Sequence, residues 1–163
     1  MIRLFRISTS NVVLLVGAIL LQTTISVAVV QAQRNRAAGG DEEAPLLQEY
    51  RSVRIGMTTE EVRKKLNDPS DKSDEQDFFV FSDNENAQVF YDKTHKVFAI
   101  SVNFLNGARD MPTPKAVFGA DLSAKPDGSM YRMVRYPKAG YWVSFSRTAG
   151  DTPLTTVTLQ KID

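Results

Sequence analysis

The chain of 163 residues contains no cysteine. Disulfide cross-links and thiolate metal sites are therefore excluded, as is the lipid-modified cysteine that tethers a bacterial lipoprotein. Histidine occurs once, as His95, so any Ser-His-Asp arrangement would have to use it. It falls beside Lys93 and Lys96 in a segment that reads as an exposed hairpin turn, a poor place for general acid–base work. An excess of one charge is also lacking, with 20 Lys and Arg against 19 Asp and Glu. Residues 1–32 hold two of those cations and no acid, so the remainder carries 18 against 19, a net −1. Nucleic-acid binding, which needs a concentrated basic face, is not expected. Gly56 and Gly119 stand alone beside helix ends and form no phosphate-cradling loop. The acids Asp68, Asp71, Asp74, Glu75 and Asp77 lack the glycine and terminal glutamate of an EF-hand, so residues 68–77 read as a solvated loop. Asp83 and Glu85 belong to a turn with no second carboxylate opposite them. No catalytic residue, cofactor or metal ligand is assigned, and the chain does not read as an enzyme.

The N-terminus carries an address. Arg3 and Arg6 precede an apolar run, Val12 to Val30, interrupted by Gln22, Thr23, Thr24 and Ser26. Val30-Gln31-Ala32 then offers tolerable residues at the −3 and −1 positions of a signal-peptidase site. Residues 1–32 read as a cleaved signal peptide; the rival reading is an uncleaved anchor, since 19 mostly apolar residues can just span a bilayer. Both leave the rest outside the cytoplasm, either periplasmic or secreted, or held at the inner membrane by residues 12–30. Residues 33–45 are small, polar and charged, a flexible linker. The folded domain is expected over residues 46–163.

Within that domain Thr58 and Glu61 have the spacing of a capping box, and Met57 and Val62 the spacing of a hydrophobic staple. Glu60 and Glu61 in the first turn and Arg63, Lys64 and Lys65 in the last complement the helix dipole. Asn67 and Pro69 end the helix. With only Val62 and Leu66 facing inward it must lie on something. Leu46, Leu47, Tyr50 and Val53, at roughly helical spacing, suggest a short packing turn before it. Beyond it the period becomes two. Strands are expected at 77–81, 87–91 and 96–103, with Phe98, Ile100, Val102 and Phe104 on one face, and the phenylalanines at 78, 79, 81, 90, 98 and 104 are expected mostly in the core. Thr113, Pro114 and Gly119 then mark a single helical turn, and strands follow at 129–136, 141–147 and 154–162. The fold class expected is α+β: short helices packed on one face of an antiparallel sheet, as two helix-plus-three-strand repeats at about 50–107 and 112–163.

The segment Ile55-Gly56-Met57-Thr58, then Glu61-Val62, Leu66 and Pro69, resembles the opening motif of the SmpA/OmlA family. Val89-Phe90-Tyr91-Asp92 and Lys96-Val97 resemble that family's strand–turn–strand, so the likeness spans residues 50–104. The family includes a small lipoprotein accessory of the outer-membrane β-barrel assembly machine, and the doubled unit resembles β-lactamase-inhibitor proteins. Those resemblances imply an envelope protein whose free sheet face binds another protein. Two departures are the absent cysteine and Asn67 in place of the glycine usual before the proline.

Candidate protein-binding residues are Tyr131, Arg132, Arg135, Tyr136, Trp142 and Arg147, because aromatics and arginine dominate binding hot spots. Strict alternation puts Tyr141 and Trp142 on opposite faces, and Trp142, sharing its side with Ser144 and Ser146, is the one expected outside the core. The expected partner is another envelope or secreted protein, with outer-membrane assembly as one setting and inhibition or sensing of an extracytoplasmic enzyme as the alternative.

Overall fold

The computed structural model describes residues 45–106 and 108–162. The expected signal peptide or anchor and all of the expected linker except Pro45 lie outside them. Among the described residues no helix is long and apolar enough to cross a membrane.

The chain forms α1 (Thr59–Leu66), β1 (Asp71–Lys72), β2 (Gln76–Ser82), β3 (Glu85–Tyr91), β4 (Val97–Phe104), α2 (Pro114–Phe118), β5 (Met130–Tyr136), β6 (Tyr141–Arg147) and β7 (Thr155–Lys161). All seven strands join one antiparallel sheet in the order β1-β2-β3-β4-β7-β6-β5. Short turns build two meanders, and the last strand of each, β4 and β7, pair at the centre.

The expected α+β class is corrected to mainly β. The two helices span only 8 and 5 residues and bury little beyond Val62, Leu66 and Val117. The cause is legible in their own punctuation. Asn67 and Pro69 stop α1 after two turns, and Pro114 and Gly119 confine α2 to one, so neither can form a layer. The covered face is closed largely by irregular chain, through Leu47, Tyr50, Val53, Ile55, Met57 and Leu122, with Phe118 at the end of α2 also packed against it.

Residues 46–53 are not a helical turn either. Tyr50 and Val53 exchange both backbone hydrogen bonds (2.9 and 2.8 Å) around Arg51 and Ser52, whose φ values of 47° and 65° are left-handed. Val53 is fully buried by this reversal, and Leu46 is left exposed.

The sheet is two-sided. Ile100, Val102, Val143, Phe145, Val157 and Leu159 bury the covered face, as alternation requires when one face packs on a core. The register shifts between Val80 and Ser82 in β2 and again in β4, where alternation fails. Phe90 pairs with Ala99 but Tyr91 with Val97, so Phe98 is an unpaired bulge residue and Val97, not Phe98, enters the core. Phe98 instead sits beside Phe90, ring centroids 6.1 Å apart. Of the six phenylalanines assigned to the core, only Phe79 and Phe104 are fully inside, with Phe81 packed at its margin; Phe78, Phe90 and Phe98 are half-exposed.

Candidate protein-binding face

Two ionic clamps fix the covered face. Asp77 is completely buried and receives Arg63 bidentately, Nε to Oδ2 at 2.9 Å and Nη2 to Oδ1 at 2.8 Å. The Tyr91 hydroxyl donates to the same carboxylate at 2.7 Å. Burial and that carboxylate together push the Tyr91 phenol well above the ordinary tyrosine range. At the opposite end of β3, Arg51 Nη2 reaches both Glu85 oxygens at 3.0 Å and Tyr50 donates at 2.6 Å. The Arg51 guanidinium also lies 4.3 Å from the Phe81 ring centre. The helix-dipole account of Arg63 is thus incomplete, and Asp77, expected where the 68–77 loop meets the 77–81 strand, lies within β2 and ties α1 to the sheet. The same loop contains the edge strand β1.

The open face is built differently. Cross-strand register sets out three rows of side chains. One row runs Val80, Asn86, Asn103, Thr156, Ser146 and Tyr131; the next runs Phe78, Gln88, Ser101, Thr158, Ser144 and Met133. The third ends in Gln160, Trp142 and Arg135. Its centre is neutral and hydroxyl- and amide-rich. Thr156 donates to Asn103 Oδ1 at 2.8 Å, Asn103 Nδ2 donates to Asn86 Oδ1 at 3.1 Å, and the Ser101 and Thr158 hydroxyls lie 3.2 Å apart. Apolar side chains stand at the flanks, with Tyr131 60%, Val80 54% and Met133 45% exposed. At the end of β3 a groove of about 760 Å³ opens against Phe90 and Phe98, with Gln76, Asp92 and His95 among its lining. Asp92 accepts from the Thr94 hydroxyl and from the Thr94 and Lys96 amides, which holds its carboxyl below the usual range. His95 is exposed in that turn, and its carbonyl accepts the Thr59 amide at 3.1 Å.

The six residues expected to bind a partner divide between the faces. Tyr131, Arg135 and Trp142 share the open side, Arg135 directly opposite Trp142 in register. Arg132, Tyr136 and Arg147 alternate onto the covered side. There Arg132 lies 5.0 Å from the Phe118 ring centre and Tyr136 packs on Tyr141. Trp142 is half-exposed while Tyr141 is buried. Sequence reasoning missed the central row of Asn, Ser and Thr and the Phe90–Phe98 groove. Period-two alternation of small polar residues in β4, β6 and β7 was the available signal for the first. Among the described residues no three His, Cys, Asp or Glu side chains converge to hold a metal ion.

Comparison with known protein families, curated proteins and solved structures finds no match for this chain. The SmpA/OmlA likeness therefore rests on its motif residues.

Proposed function

We propose that this chain is an exported, non-enzymatic protein-binding module of the cell envelope that docks another protein on the open sheet face. One observation carries the reading: six adjacent strands present a face whose neutral centre of Ser, Thr, Asn and Gln is flanked by Phe78, Tyr131, Met133 and Trp142. Interface cores are depleted of charge and enriched in aromatics and methionine. Small hydroxyls and amides supply adaptable hydrogen bonds around such anchors. The basic-then-apolar N-terminus and the SmpA/OmlA-like motif at residues 55–69 support an envelope setting linked to outer-membrane assembly or maintenance. A second reading, a secreted inhibitor or sensor of an extracytoplasmic enzyme, draws on the Phe90–Phe98 groove, which can receive a projecting loop.

Affinity capture from an envelope fraction with the full chain as bait tests the proposal. Recovery of barrel-assembly components supports the first reading, and recovery of a single enzyme supports the second. Capture that is unchanged by Trp142→Ala would count against docking on the aromatic side of the open face.

A further inference from the structure

The two edges of the sheet are not alike. One ends in β1, two residues long, with Asp71 and Lys72 followed by Ser73 and Asp74. Short, charged edge strands are how proteins avoid unwanted strand pairing. The other edge is β5, seven residues of Met-Tyr-Arg-Met-Val-Arg-Tyr with no proline or glycine and an unbroken register to β6. Among the described residues no strand or backbone hydrogen bond covers its outer side. A row of main-chain groups is therefore available for strand addition.

Charge decides what kind of strand fits. From Ser129 to Gly150 the chain holds Arg132, Arg135, Lys138 and Arg147 and no acid, whereas the rest of the chain has 16 Lys and Arg against 19 Asp and Glu. None of the four makes an ion pair among the described residues. Arg132 and Arg135 are three positions apart, so they flank β5 on opposite faces. Arg147, opposite Met130, adds a cation on the Arg132 side. A second copy paired through β5 would gather four guanidinium groups at one seam, a like-charge penalty. We propose that β5 accepts an extended acidic segment of a partner protein as an eighth strand. Carboxylates three residues apart on that segment meet Arg135 on one face and Arg132 on the other. The two residues between them lie against Met133 and Val134 and are apolar. The segment therefore reads acid, apolar, apolar, acid. This site is the edge of the sheet and does not depend on docking across the open face.

The test titrates the full chain with a ten-residue peptide bearing Asp-Val-Val-Glu at its centre. Amide hydrogen exchange and the fluorescence of Trp142, the one tryptophan, are followed. Exchange across Met130–Tyr136 is expected to slow. Affinity is expected to fall about tenfold between low and moderate salt, and about tenfold in the Arg132→Gln/Arg135→Gln double variant. Methylating alternate peptide amides, which leaves the protein untouched, is expected to abolish binding. Equal binding of a peptide with both acids replaced by lysine overturns the proposal. So does slowed exchange confined to β4 and β7, or slowing of β5 exchange by phosphatidylglycerol vesicles but not by the peptide.

Discussion

On the covered face the carboxylates of Asp77 and Glu85 are each met by an arginine and a tyrosine hydroxyl. On the open face the polar groups of Asn86, Ser101, Asn103, Thr156 and Thr158 are neutral and bond to one another. The difference separates stability from availability. A buried charge must be fully paired, so its partners are fixed in place and any loss is costly. Neutral hydroxyls and amides can exchange partners with little penalty, so the face that contributes least to the fold is the one best suited to contact another protein.

The largest way to break that contrast is Arg63→Ala. It strands the buried Asp77 and is expected to destabilise the chain by about 3–5 kcal/mol in urea unfolding. Next is the response to alkali. The Tyr91 phenol is raised above its ordinary range, so the folded state holds that proton more tightly than the unfolded chain. Its contribution is fully present below about pH 10 and is lost as pH rises toward the folded-state value. Ultraviolet titration should show part of the tyrosine absorbance changing only with unfolding, and Tyr91→Phe should reduce that part, leaving the share of Tyr50, whose phenol burial and Glu85 also raise. A third change works in the opposite direction. The Thr155 hydroxyl is buried with no partner among the described residues, so Thr155→Val is expected to stabilise by about 1–2 kcal/mol. Asn67 holds φ 67° and ψ −168°, a region suited to glycine, and Asn67→Gly is expected to add about 1 kcal/mol. Smallest is Ser144→Ala at the centre of the open face, expected within about 0.5 kcal/mol of the parent.

Local signals were the legible part of this fold. Thr58, Glu61, Thr113, Pro114 and Gly119 state the helix ends, and alternation locates six of the strands within two residues. What capping chemistry cannot convey is how much of a face a helix will cover, and that is where the α+β expectation failed. The clamps were illegible for another reason. Arg63 and Asp77 are 14 residues apart and Arg51 and Glu85 are 34 apart, and only the paired sheet brings them together. The Phe98 bulge hid behind an unbroken apolar alternation: Ile100, Val102 and Phe104 keep the covered face, but the extra residue puts Val97 there in place of Phe98. Of the candidate binding residues, alternation separated Trp142 from Tyr141 but could not say that Arg132 and Tyr136 take the covered side.

The measurement that bears most directly on the open face is site-specific photo-crosslinking in cells. The full chain carries the crosslinker either at Ser144, at the centre of that face, or at Lys64, exposed on α1. A discrete protein adduct is expected from Ser144, one that Trp142→Ala diminishes, and none from Lys64. Adducts of equal yield from both positions, or from Lys64 alone, would contradict docking on the open face.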